Sequence, residues 1–175
     1  MTADDVRRAL VRISHEIVEK HGGLNGLAIV GIQRRGVPLA ARLASLIEGH
    51  EGSRPPVGGL DITFHRDDRA RDSRQPQLKG SDLPFALEHS TVVIVDDVLY
   101  TGRTVRAAMD ALVEVGRPQA VRLAVLIDRG HRELPIRADH VGKNVPTARE
   151  ETVRVHLAEV DGGDDEVVIE RRGDG

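Results

Sequence analysis

At 175 residues the chain is long enough for one domain with a proper core, residues 1–175, and needs no second. It has no cysteine, which excludes a disulfide framework and thiolate chemistry, and its only aromatic residues are Phe64, Phe85 and Tyr100, too few for base stacking to dominate nucleic-acid binding. The net charge of −3 argues against a generic nucleic-acid coat, yet the nine acidic residues and three arginines from Glu150 onward leave +3 for residues 1–149, so a local basic face stays open.

Asp4 and Asp5 precede any apolar run, and no stretch approaches membrane-spanning length. No signal peptide or anchor is expected, and a cytoplasmic protein with no membrane partner is the simplest reading. Val6, Ala9, Leu10, Ile13 and Ile17 keep helical spacing, which predicts an amphipathic helix ending near Gly22-Gly23. Arg8, Arg12 and His15 form its polar stripe, for which a solvated face is the plain reading. Leu27 to Ile32 reads as a buried strand and Gln33-Arg34-Arg35-Gly36 as a turn. Pro38 then fits the first turn of a helix with Leu39, Leu43, Leu46 and Ile47 on its apolar face. Val57 to Phe64 is a third strand. The polar segment from about 65 to 90 is too long for a plain connection in a compact domain, and a flexible lid over a ligand crevice is preferred to disorder.

Val92 to Val95 is a buried strand, and Val105, Ala108, Met109, Leu112 and Val113 form the stripe of the helix behind it. Ala120 to Ile127 is another strand. Residues 152 to 160 and 166 to 170 read as a closing β-hairpin around Asp161-Gly162-Gly163, with an acidic tail over about 161–175. Strand alternating with helix predicts the α/β class, with a central, mostly parallel sheet flanked by helices.

The most informative stretch is Val92 to Thr104, Val-Val-Ile-Val-Asp-Asp-Val-Leu-Tyr-Thr-Gly-Arg-Thr. An apolar strand runs into two carboxylates, then a small turn, then a helix, and open α/β sheets bind ligands outside the carboxyl ends of their strands. Unpaired N–H groups at the helix start let Thr101, Gly102, Arg103 and Thr104 wrap a phosphate. Asp96 and Asp97 are acceptors, suited to sugar hydroxyls or to water on Mg²⁺. Other phosphate loops fit worse. Gly31 to Gly36 has Walker spacing, but Val37 and Pro38 stand where Lys and Ser/Thr are required. His131 and His140 lack the short paired spacing of zinc sites, so no protein-held metal is expected.

These residues resemble the phosphoribosyl pyrophosphate motif of type I phosphoribosyltransferases. More narrowly, Asp96 to Thr104 together with Asp128-Arg129-Gly130-His131-Arg132-Glu133-Leu134-Pro135-Ile136-Arg137-Ala138-Asp139 resembles the bifunctional pyrimidine operon attenuators that are also uracil phosphoribosyltransferases, over roughly residues 6 to 160. The resemblance implies the type I phosphoribosyltransferase fold, with a lid and a C-terminal β-hairpin. It implies that Asp96 and Asp97 hold the ribose hydroxyls and that Thr101, Gly102, Arg103 and Thr104 hold the 5′-phosphate. Arg34, Arg35 and Gly36 would form the pyrophosphate loop, with a non-proline cis peptide common there. Arg66 and Asp67 would close over pyrophosphate and Mg²⁺, the metal being bound mainly through phosphoribosyl pyrophosphate. The base pocket would lie near Asp128, Val141 and Gly142. Tyr100 stands where oxopurine enzymes of the family place an Asp, and a phenol is a poor acid or base toward a purine imidazole near neutral pH, which favours a pyrimidine.

By the same resemblance Arg12, His15, His131, Arg137 and Lys143 belong to an RNA-binding face. The implied partners are uracil, phosphoribosyl pyrophosphate, UMP and the leader mRNA of a pyrimidine operon, with a homodimer or higher homo-oligomer as the assembly. The expected function is UMP-responsive transcription attenuation together with conversion of uracil and phosphoribosyl pyrophosphate to UMP and pyrophosphate. The alternatives are an enzyme alone, possibly for a purine, and an RNA-binding regulator whose site only senses nucleotides.

Overall fold

The computed structural model describes residues 1–63, 65 and 81–171. Their elements in chain order are α1 (Ala3–His21), β1 (Leu27–Ile32), α2 (Gly36–Glu51), β2 (Val57–Leu60), β3 (Thr91–Leu99), α3 (Arg103–Val115), β4 (Ala120–Asp128), β5 (His140–Asn144), β6 (Glu151–His156), α4 (Ala158–Asp161) and β7 (Glu166–Arg171). The first five strands form one parallel sheet in the order β2-β1-β3-β4-β5, and β6 pairs with β7 antiparallel. Parallel neighbours require crossover connections, so helices cover both sheet faces and the strands are apolar throughout. Every residue of β1 is buried accordingly.

One face packs under α1, α2 and the β6-β7 pair, joining Ile13, Ile17, Leu39, Leu43, Ile29, Val93, Val95, Val155 and Leu157. The other packs under α3, joining Val105, Ala108, Leu112, Val30, Val92, Ile94 and Val125. Helix α1 begins at a capping box in which Thr2 and Asp5 satisfy each other's backbone N–H groups. It ends where Gly22 takes a left-handed conformation and its N–H returns to Val18 O.

The structure revises several predicted boundaries. β3 continues to Leu99 because Asp96, Val98 and Leu99 stay in register with Val125, Ile127 and Asp128 of β4. The acidic pair therefore belongs to the strand and not to the turn. β2 stops at Leu60, although Ile62 is still buried. β5 was not expected, and a helical turn, α4, stands between β6 and β7 where a tight hairpin was predicted. Of the predicted lid, residues 81–90 are packed: Asp82 bridges Gly59 on β2, Leu87 is buried, and the Gln119 N–H donates to Ser90 O at 2.8 Å. Arg66 and Asp67 lie outside the described residues.

Two glycines let β1, α2 and β3 close on one another. A Cβ on Gly31 would sit 2.2 Å from Gly36 O, and one on Gly36 would sit 2.3 Å from Val95 O. Both obstacles are backbone, so neither swings aside. Gly36→Ala should accordingly lower the unfolding free energy by about 1–3 kcal/mol, the usual penalty of overpacking. A urea midpoint equal to wild type would contradict this close approach.

Candidate active site

The carboxyl ends of β1, β3 and β4 converge on one edge of the sheet, and the sequence places its most polar residues there. Asp96 is 7% exposed and Asp97 is half-buried. Asp96 Oδ1 accepts from the Asp97 N–H at 2.9 Å, and Asp97 Oδ1 accepts from the Val98 N–H at 2.9 Å. These local bonds orient each carboxylate at the end of the sheet.

Tyr100 follows at the strand end. Its ring lies under the Arg129 guanidinium, 4.1 Å from the centroid, and meets the His131 ring edge-on at 6.0 Å. Arg129 is itself buried and donates to Thr147 Oγ1, Ala148 O and Glu151 O. A cation over an aromatic face and three hydrogen bonds thus fix the phenol that ends β3.

Thr101 Oγ1 accepts from the Arg103 N–H at 3.3 Å, and Gly102 is the left-handed N-cap of α3, with φ 94°. A Cβ there would stand 3.3 Å from Ile136. Gly102 has no side chain to cap the helix, so first-turn amides and the positive end of the dipole face outward beside Thr104. Such an end favours an anion.

The segment after β4 is stitched to this turn. Glu133 and Leu134 N–H groups donate to Thr101 O at 2.9 and 3.1 Å, Arg132 Nη1 donates to Tyr100 O at 2.9 Å, and Arg103 Nε donates to Glu133 Oε2 at 2.7 Å. Asp128 closes the same segment by accepting from Arg132 Nη2 and from the Gly130 N–H.

The loop after β1 completes the edge. The Gln33-Arg34 peptide is cis, Arg34 is exposed, and Arg35 forms the N-cap of α2. Arg35 donates from Nη2 to Asp161 Oδ1 at 2.6 Å and from Nε to Asp161 Oδ2 at 3.2 Å. That bond holds the guanidinium pKa above its ordinary value against the cost of burial, helped further by the charges of Asp161 and Asp97. Asp161 is held below the usual carboxylate range, by Arg35 first and by the Leu157 N–H second.

The predicted base-pocket residues separate. Asp128 lies on the active edge, whereas Val141 and Gly142 give their carbonyls to Arg12 Nη2 at 3.1 and 2.6 Å, on the α1 side of the sheet. The predicted RNA residues also fall into two groups. Arg12 and Lys143 line a cavity of about 340 Å³ together with Arg8, and His15 stacks on His50 at 4.0 Å. His131 Nε2 donates to Thr147 O at 2.6 Å, and Arg137 borders a groove with Met109 and Ile136 on the α3 side. Among the described residues no cluster of three or more His, Asp or Glu could hold a metal ion.

Sequence reasoning missed Arg129, Arg132, Glu133 and Asp161. The first three flank His131 in one charged run, which was the available signal. Asp161 had no local signal at all, because its partner is 126 residues away.

The profile of the family described as the phosphoribosyl transferase domain matches residues 3–159. The Bifunctional protein PyrR of Chloroflexus aurantiacus is 59% identical over 169 residues, covering 97% of this chain and 93% of that one. The Bifunctional protein PyrR of Thermus thermophilus is 58% identical over 173 residues, covering 99% and 96%. Among solved structures, the hypoxanthine phosphoribosyltransferase of Trypanosoma cruzi in complex with IMP superposes with a TM-score of 0.71 at 18% identity, covering 98% of this chain and 89% of that one. At that identity the likeness is one of fold.

Proposed function

The chain belongs to the phosphoribosyl transferase domain family and, within it, to the bifunctional PyrR proteins, and from that premise we propose that it makes UMP from uracil and phosphoribosyl pyrophosphate while regulating a pyrimidine operon through leader RNA. The observation that carries the reading is the continuity of one edge: two carboxylates in the last rungs of the β3 ladder, a helix start with no side-chain cap after them, and an arginine loop beside them.

In this reading the bond from C1′ to the pyrophosphate oxygen breaks, uracil N1 bonds to C1′, and the N1 proton leaves. Positive charge gathers on the sugar and negative charge on the departing oxygens, so fixed groups aimed at both lower the barrier. Asp96 and Asp97 hold the ribose hydroxyls and face the cationic sugar. Thr101, Gly102, Arg103 and Thr104 seat the 5′-phosphate on the helix start. Arg35, with Arg34 and Gly36, meets the pyrophosphate. Asp128 borders the base.

Carboxylate oxygens at the edge suit a Mg²⁺ that arrives on phosphoribosyl pyrophosphate. When bound it would offset part of the leaving group's charge. Arg66 and Asp67 belong to the reading as a closing lid, on sequence grounds.

The regulatory half rests on Arg12, His15, His131, Arg137 and Lys143, and on the bonds joining the phosphate turn to the segment that bears His131 and Arg137. Among the described residues no helix is long and apolar enough to cross a membrane. The reading places the protein in the cytoplasm, where such an RNA would be met. The assembly is read as a homodimer or higher homo-oligomer, and sedimentation velocity would give its mass.

Tyr100, standing where oxopurine members of the family place an Asp, favours a pyrimidine base over a purine. Purified protein with Mg²⁺ should therefore turn over uracil well and hypoxanthine and guanine poorly. Faster turnover of either purine in a three-base assay would overturn the pyrimidine reading.

A further inference from the structure

Arg35 is gripped along one side only. Its Nε and Nη2 meet the two oxygens of Asp161, while Nη1 has no protein acceptor among the described residues. A guanidinium carries five donors in a rigid plane, so a carboxylate docked side-on leaves the Nη1 edge able to take a second anion bidentately.

Asp161 is itself anchored. Its Oδ2 also accepts from the Leu157 N–H at 3.0 Å, and the Leu157 side chain is fully buried with Val153 and Val155. Two helical turns of α2 further on, Arg42 binds Glu159 and Asp165, tying the α4 turn to α2 a second time. Asp161 thus reaches Arg35 from a fixed platform on the far end of the chain.

We propose that Asp161 is a positioning residue for phosphoribosyl transfer: it holds the Arg35 guanidinium by its Nε–Nη2 edge so that the Nη1–Nη2 end meets the departing pyrophosphate already oriented. The proposal rests on the phosphoribosyltransferase reading of this site. A guanidinium on a four-torsion stem has many rotamers, and a group that must reorient during the reaction stabilises charge less than one fixed beforehand.

The test compares wild type, Asp161→Ala, Asp161→Asn, Arg35→Ala and the double variant Arg35→Ala/Asp161→Ala, in steady-state kinetics and in calorimetric titration with magnesium pyrophosphate. Asp161→Ala should lower kcat about tenfold with the KM for uracil unchanged, since Arg35 acts on the leaving group. Asp161→Asn keeps one oxygen for Nη2 or for the Leu157 N–H, and should recover part of the loss. In the Arg35→Ala background, Asp161→Ala should cost nothing further, because partners in one network are not additive. Losses that multiply in the double variant would reduce Asp161 to a structural role and overturn the proposal. Faster turnover or tighter pyrophosphate binding in Asp161→Ala would also overturn it, because the carboxylate would then be an anion blocking the seat. If wild type made no UMP, the reaction reading would fall, and the pyrophosphate titrations would decide the pairing by the same criterion.

Discussion

Arg35→Ala should lower kcat/KM for UMP formation by about 2–4 kcal/mol of transition-state stabilisation, the scale seen when one donor to a developing anion is removed. The loss should fall on kcat, because the pyrophosphate gains charge on the leaving oxygen only as its bond to C1′ breaks. Asp97→Asn and Thr104→Ala should behave differently. Both should raise the KM for phosphoribosyl pyrophosphate. Thr104 would touch the 5′-phosphate, whose charge does not change in the reaction, whereas Asp97 would face the sugar that becomes cationic, so Asp97→Asn should lower kcat as well. Unchanged kinetics in all three variants would remove this edge of the sheet from the mechanism.

Leader RNA binding should weaken steeply with salt. If Arg12, Arg137 and Lys143 each meet a phosphate, a fourfold rise in salt should cost on the order of tenfold or more in affinity, and Arg137→Ala should reduce the logarithmic slope by about one. UMP should tighten binding, since the turn that would hold its phosphate carries the bonds from Glu133, Leu134 and Arg132 that position the next segment. A coupling of about 1–3 kcal/mol is the usual range for linked sites. Salt titrations of wild type and Arg137→Ala, with and without UMP, read both quantities. Equal binding of a scrambled RNA would leave an enzyme without the regulatory role, and indifference to UMP would leave two unlinked activities.

How legible these features were followed from how local their causes are. The α1 stripe, the β1 run and the α3 stripe announce themselves because burial on one face imposes a period or an unbroken apolar run. β5 was hidden because His140-Val-Gly-Lys-Asn is short and polar, and becomes a strand only by pairing with Ala124 to Asp128. The reach of β3 through its acids was hidden for the same reason: Asp96 is a poor strand residue by propensity, and the β4 ladder overrides that. The site showed the converse pattern. Residues 96 to 104 are contiguous and could be read together, whereas the acceptance of an Arg12 hydrogen bond by the Val141 and Gly142 carbonyls joins β5 to α1 across most of the chain and has no local signal. Asp161 and Asp165 read as part of an acidic tail, yet Arg35 and Arg42 pair with them and with Glu159 from more than a hundred residues away.

The hydrogen bonds that Glu133 and Leu134 make to Thr101 O have a consequence for the enzyme when it is at work on RNA. Coupling between two binding sites is reciprocal, so a leader RNA that is held more tightly by the UMP complex must itself hold UMP more tightly in the protein. UMP is also the product, and a tighter product leaves more slowly. Protein seated on its leader should therefore suffer stronger product inhibition than protein free of it, so that while pyrimidine is plentiful each molecule engaged in attenuation is withdrawn from salvage.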